Sequence, residues 1–337
     1  MRTIRAGIGV CLLSAALAAH AQSYHVADHW TIGGEGGWDY LVSDDAAHRL
    51  YVTHGPRVEV LDTTTGKPVG AITGLKSTHG VALNPDGKTG YVSDGAGNAI
   101  IVFDRATLEV KASVQAGTNP DGIAYEPATG TVWAFNGRSR NISVLDAATN
   151  QIVATISLPG KPEFPRADGQ GNVFVNIEDK NTIVKLDAKQ RAVSGSWQLD
   201  GCDSPSGMAI DSEQHHLFSV CDGKKMVVSD YAAGHVIALV PIGDSPDASA
   251  FDPVRGLVFS SNGEGTLTIV DATKPGFPVL QNLTTVKGAR TMAYDATTGR
   301  AFLSVAKFGP APAPTATSPH PRPAAIPGTF EIVVVSR

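Results

Sequence analysis

Past its first twenty residues the chain has no run of 18 apolar residues, so no later segment is built to cross a bilayer as a helix. Basic runs are missing too. With 27 lysines and arginines against 32 acids the formal charge is −5, which excludes general binding of nucleic acid or anionic lipid through bulk charge. Cysteine is scarce, at three residues. The 3.6-residue periodicity of helical repeats is absent, and so are HExxH, CxxC and GxSxG signatures. Gly87-Lys88-Thr89 lacks the earlier glycine of a phosphate-binding loop, because Ala82 stands there. Gly33, Gly34, Gly36 and Gly37 precede a strand rather than open a helix, which excludes a dinucleotide fingerprint.

What the chain does have is punctuation: 36 glycines and 21 prolines in 337 residues, suited to many short strands joined by tight turns. Residues 1–21 read as a secretory signal: Arg2 and Arg5, an apolar stretch from Gly7 to Ala19, then Ala19-His20-Ala21 as a small-x-small cleavage site. The expected mature chain is a single domain over residues 22–337, periplasmic or secreted. Without Arg2 and Arg5 its basic count falls from 27 to 25, and its formal charge becomes −7. Only Cys202 and Cys221 then remain, and an oxidising compartment favours their pairing.

A β-rich run ending in aspartate recurs as VEVLD, IIVFD, ISVLD, IVKLD, MVVSD and LTIVD. Its aspartates are Asp62, Asp104, Asp146, Asp187, Asp230 and Asp271, at spacings of 42, 42, 41, 43 and 41, and a seventh copy ends at Ser336. Tyr51, Tyr91, Trp133, Phe174, Phe218, Phe259 and Phe302 keep step with them. A period in the low forties holds four short strands, one propeller blade. The expected fold is all-β: a seven-bladed β-propeller with four-stranded blades. The chain ends on the third strand of blade seven, so Tyr24–Thr31 is expected to pair with that strand and close the ring.

The segments LYVTH (Leu50–His54) and GYVSD (Gly90–Asp94), with NPDGIAYEP (Asn119–Pro127), resemble the signature of the YVTN-repeat (YncE-like) propeller family. The resemblance spans the mature chain and implies an exported propeller. It implies no particular reaction, because one fold hosts many functions.

Counting back twelve residues from each marker aromatic, or eleven in blade four with its shorter first turn, places one residue per blade at the start of the innermost strand. They are Asp39, His79, Asp121, Glu163, Ser206, Asp247 and Arg290. Six of these seven are ionisable, and such a ring perturbs its own titration unless a cation compensates it. Asp39, Asp121, Glu163 and Asp247 are candidate ligands for a divalent ion, calcium or zinc, with His79 and Arg290 as candidate catalytic groups. A solvated channel lining remains the plain alternative. A serine triad from Ser206, His79 and Asp121 is disfavoured, because the three lie on different blades.

The second strands end on the same face, with His54, Asp94, Asn136, Cys221 and Asn262, and Asn176 nearby, as a second polar shell. For the three asparagines, capping of strand ends is the expected role. A Cys202–Cys221 bridge would stiffen the rim. The seventh repeat carries an insertion, residues 309–328, with seven prolines; it is either a lid or docking surface over the ring or a tolerated surface loop.

Three functions follow. One is a binding module, expected to be a monomer, taking a small ligand or an envelope protein at the channel mouth. Another is a metal-dependent hydrolase, such as a lactonase, or a lyase, although the repeats resemble YVTN repeats rather than those of gluconolactonases. The third is a purely structural repeat protein.

Overall fold

The computed structural model describes residues 23–315 and 323–337. The signal segment, and Pro319 and Pro321 of the proline-rich insertion, lie outside the described residues.

Seven four-stranded antiparallel sheets form a ring of blades. Blade one runs through strands Trp38–Asp44, Arg49–His54, Arg57–Asp62 and Pro68–Ile72. Blades two to six repeat that order over residues 78–115, 120–157, 162–198, 208–241 and 246–284. Blade seven combines Thr291–Asp295, Arg300–Val305 and Glu331–Ser336 with the N-terminal strand His25–Thr31. That strand pairs antiparallel with Glu331–Ser336, from His25 opposite Ser336 to Thr31 opposite Glu331, so the ring closes as the sequence predicts. Trp30 packs on Phe302 at 5.4 Å, and Tyr24 exchanges two hydrogen bonds with Gln281 of blade six, at 3.0 and 2.7 Å. Among the described residues the one helical element is the 3₁₀ turn Glu178–Lys180.

Both sequence markers have a physical cause. Each marker aromatic lies in a second strand and is fully buried. The apolar core sits between neighbouring blades: Trp133, Phe135 and Val144 of blade three pack with Val173, Val175 and Val184 of blade four. The recurrent aspartates end third strands and accept backbone N–H groups of the turn that follows. Asp62 takes Thr64 and Thr65 at 3.0 and 2.8 Å, and Asp146 takes Ala148 and Thr149 at 3.0 and 2.9 Å. These backbone bonds hold both carboxyls below the usual range.

The inner strands approach one another closely. A Cβ on Gly122 would lie 2.6 Å from the Glu163 carbonyl, and one on Gly207 would lie 2.3 Å from the Asp247 carbonyl. Glycine at these positions lets adjacent blades meet around the axis.

Candidate functional site at the channel mouth

The ring positions fall where the register predicts. Asp39, His79, Asp121, Glu163 and Asp247 are each the second residue of an innermost strand, while Ser206 and Arg290 just precede theirs. The ring is not one uniform cluster. It divides into three groups.

Asp39, His79 and Asp121 come together from blades one, two and three. His79 Nδ1 is 2.7 Å from Asp39 Oδ2 and 3.8 Å from Asp121 Oδ1. One ligand atom from each lies within 4.8 Å of the others, a spacing that fits a cation between them. Burial raises the Asp39 carboxyl above its ordinary value, against the opposing hydrogen bond from His79. Burial, and then the Asp39 charge, push Asp121 up to about 6. For His79 burial works against the charged form, but the bond to Asp39 and the charge of Asp121 outweigh it and raise its pKa. All three shifts are toward more bound protons, as expected of a site short of positive charge.

Glu163 instead faces a cation from its own blade. Lys161 Nζ lies 2.6 Å from Glu163 and 2.5 Å from Glu178, one ammonium shared between two carboxyl groups. Burial, then the charge of Asp121, push Glu163 up to about 8 despite that contact. Asp247 lies 3.1 Å from Arg290 Nε. The structure therefore groups Asp39 and Asp121 with His79, and sets the expected ligands Glu163 and Asp247 against Lys161 and Arg290. Ser206 directs its hydroxyl to the carbonyls of Pro246 and Asp247, at 3.4 and 3.3 Å, with no triad geometry.

The second polar shell is mostly internal scaffolding. Asn136 bonds Asn141 and Ser143, Asn176 bonds the Ser206 carbonyl, and Asn262 bonds Thr266 and Thr268. Asp94 accepts the backbone N–H of Ser77 at 2.8 Å. His54 needs correction as a binding residue. It is 1% exposed, stacked on Phe330 at 4.4 Å and 3.8 Å from Glu59, so no ligand on the surface reaches it. Cys202 and Cys221 form the expected disulfide, with their Cα atoms 5.4 Å apart. The base of the insertion sits on this face: Gly309 N–H bonds the Ala324 carbonyl, and Trp38, next to Asp39, packs on Phe308 and Phe330.

Register reasoning missed what lies one step further in. One residue past the ring, five blades have Gly80, Gly122, Gly207, Ala248 and Thr291, but blades one and four have Tyr40 and Phe164. These two rings meet edge to face at 4.5 Å across the channel. Opposite the marker aromatics, six blades carry Val42, Ala82, Ala124, Ala209, Ala250 and Ala293. Blade four alone has a charged residue there, Arg166 opposite Phe174. Aligning the seven inner strands column by column would have exposed all three exceptions. Past the aromatic pair lies a cavity of about 280 Å³ lined by residues of the inner strands, none of them from the charged ring.

Fold and site thus define a seven-bladed propeller with a carboxylate–histidine cluster at one channel mouth. A family model described as "SMP-30/Gluconolactonase/LRE-like region" matches residues 44–165, less than half of the chain. That span includes His79, Asp121 and Glu163, and excludes Asp39, Asp247 and Arg290. No curated protein matches. Among solved structures, the hydrazine synthase of Kuenenia stuttgartiensis is similar at 15% identity and a TM-score of 0.70, over 80% of this chain and 92% of that one. The U3-55K structure is similar at 12% identity and a TM-score of 0.76, over 92% and 99%. At such identities the likeness is one of fold.

Proposed function

We propose that this protein is an exported binding propeller that takes a small ligand or partner protein at the channel mouth, anchored by a divalent cation between Asp39, His79 and Asp121. The observation that carries this reading is the convergence of three ligand atoms from three blades within 4.8 Å, in a site whose groups all shift toward extra protons. His79 Nδ1, rather than Nε2, faces the carboxylates, because Nε2 lies against Gly95. Two carboxylates and one imidazole suit calcium or zinc and leave coordination positions for a ligand. The signal-like N-terminus with the disulfide supports export.

The test is the metal content of mature protein purified without chelator, beside a D39A/D121A variant. Near-stoichiometric calcium or zinc in the parent and none in the variant is expected. A metal-free parent that gains no thermal stability from either ion refutes the anchor.

The gluconolactonase-like match favours a second reading, metal-dependent hydrolysis of a lactone or ester at the same mouth. A bound ion there would supply Lewis acidity and an acidified water. His79 would then serve as a ligand, not as a free base. Glu163, pushed up to about 8, keeps a proton at neutral pH and would be the group able to donate one. Turnover of a lactone panel by the metal-loaded parent, lost in E163Q with the ion retained, distinguishes this reading from simple binding.

A further inference from the structure

We infer that the channel cavity beyond the Tyr40–Phe164 pair is a second, separate site, and that it binds a small organic monocarboxylate through Arg166. The inference does not depend on the metal at the mouth, since none of the charged ring lines this cavity.

Arg166 is the only charged residue among those lining the space. Its guanidinium carbon rests 4.2 Å over the Phe164 ring, and it has no carboxylate or hydrogen-bond partner among the described residues. Other inward arginines have an acid or a carbonyl: Arg105 bonds Asp44 and the Asn84 carbonyl, and Arg255 bonds Asp252. A cation partly withdrawn from solvent without a counter-ion gains from a ligand that supplies the negative charge. Burial lowers the Arg166 pKa to about 10, which still leaves it charged at neutral pH.

The cavity's shape and walls narrow the ligand. Its volume of about 280 Å³ is at the lower end for small-molecule sites, room for a ring or a short branched chain. Its walls expose apolar side chains, Val42, Ile123, Ile210 and Met292 among them, and polar atoms in about equal share. Ser249, also in the wall, is 4% exposed, and its hydroxyl has no hydrogen-bond partner. A fixed guanidinium fork matches a carboxylate bidentately, and the apolar side chains give the hydrocarbon body of an organic acid a surface that an inorganic anion would not use. Alanine or valine fills this position in the other six blades, and the cavity beside the unpaired arginine points to a ligand.

The test uses the full mature protein, with benzoate and isobutyrate as probes and benzyl alcohol as the neutral counterpart of benzoate, followed by calorimetry. At least one carboxylate is expected to bind saturably at a single site. Its affinity should fall at least tenfold in R166M and by a smaller factor in R166K, which keeps the charge but not the fork, with benzyl alcohol at least tenfold weaker than benzoate. Thermal melts give an independent reading. R166M without ligand should melt above the parent, since an uncompensated charge is gone, and the carboxylate should raise the melting temperature of the parent but not of R166M. Absence of saturable binding by both carboxylates, equal affinity for R166M, or equal affinity for benzyl alcohol overturns the proposal.

Discussion

His79 stands between two carboxylates, and the cluster it forms sets how the fold responds to pH. Asp39, Asp121 and His79 each hold a proton to higher pH in the folded chain than in the unfolded one. The folded state therefore binds more protons, and stability falls as pH rises through the window from the ordinary carboxylate value of 3.8 past about 6. Lys161, Glu163, Glu178 and Asp94 add their fields to the same cluster. D121N removes a charge that burial disfavours. In chelator at pH 8 it should be more stable than the parent by on the order of 2 kcal/mol, with the gap closing near pH 4. Denaturant titration of both proteins at the two pH values checks this, and an equal gap at both refutes the assigned shift. The ring positions were legible in the sequence because inner-strand starts recur in register. Their grouping was not. Lys161, which draws Glu163 aside, lies two residues before it and outside the counted column. His54 looked equivalent to Asp94 by position, yet Phe330, far along the chain and beyond the insertion, covers it.

Among the elements, blade five is the one whose innermost strand is short, Met208–Asp211, starting two residues after Ser206. The segment before it is held by the Cys202–Cys221 bridge and by the Asp203–Asp222 β-bridge rather than by a full strand ladder. Closing a loop of this length stabilises by about 3 kcal/mol through the unfolded chain. Reduction, or a C202S/C221S variant, should lower unfolding free energy by roughly that amount, and it should increase hydrogen exchange first around residues 202–208. Uniform exchange across all blades would show that the bridge does not act locally. Here the sequence was informative because Cys202 precedes the first strand of blade five and Cys221 ends its second, on one face. The short strand itself was invisible, because Ser204 and Gly201 adopt left-handed backbone that no repeat marker reports.

For the whole molecule, the ring stands or falls with one strand exchange. His25–Thr31 covers the edge of Glu331–Ser336, and without it a row of strand N–H and C=O groups would be left open. Deletion of residues 22–31 should give a protein that aggregates or melts well below the parent. W30A, which keeps the strand but empties its contact with Phe302, should cost about 3 kcal/mol and remain monomeric. Size-exclusion chromatography with thermal melts separates the two, and a monomeric deletion variant with an unchanged melt would refute closure as the stabilising event. This architecture was the most legible part of the sequence, since seven phased repeats need a partner for the unpaired edge.

The contact of Tyr40 with Phe164 has a consequence for transport. Propellers are drawn as tubes, but here two aromatic rings meet at 4.5 Å and narrow the bore between the charged ring and the cavity that holds Arg166, so a solute moving from one to the other has to pass both rings.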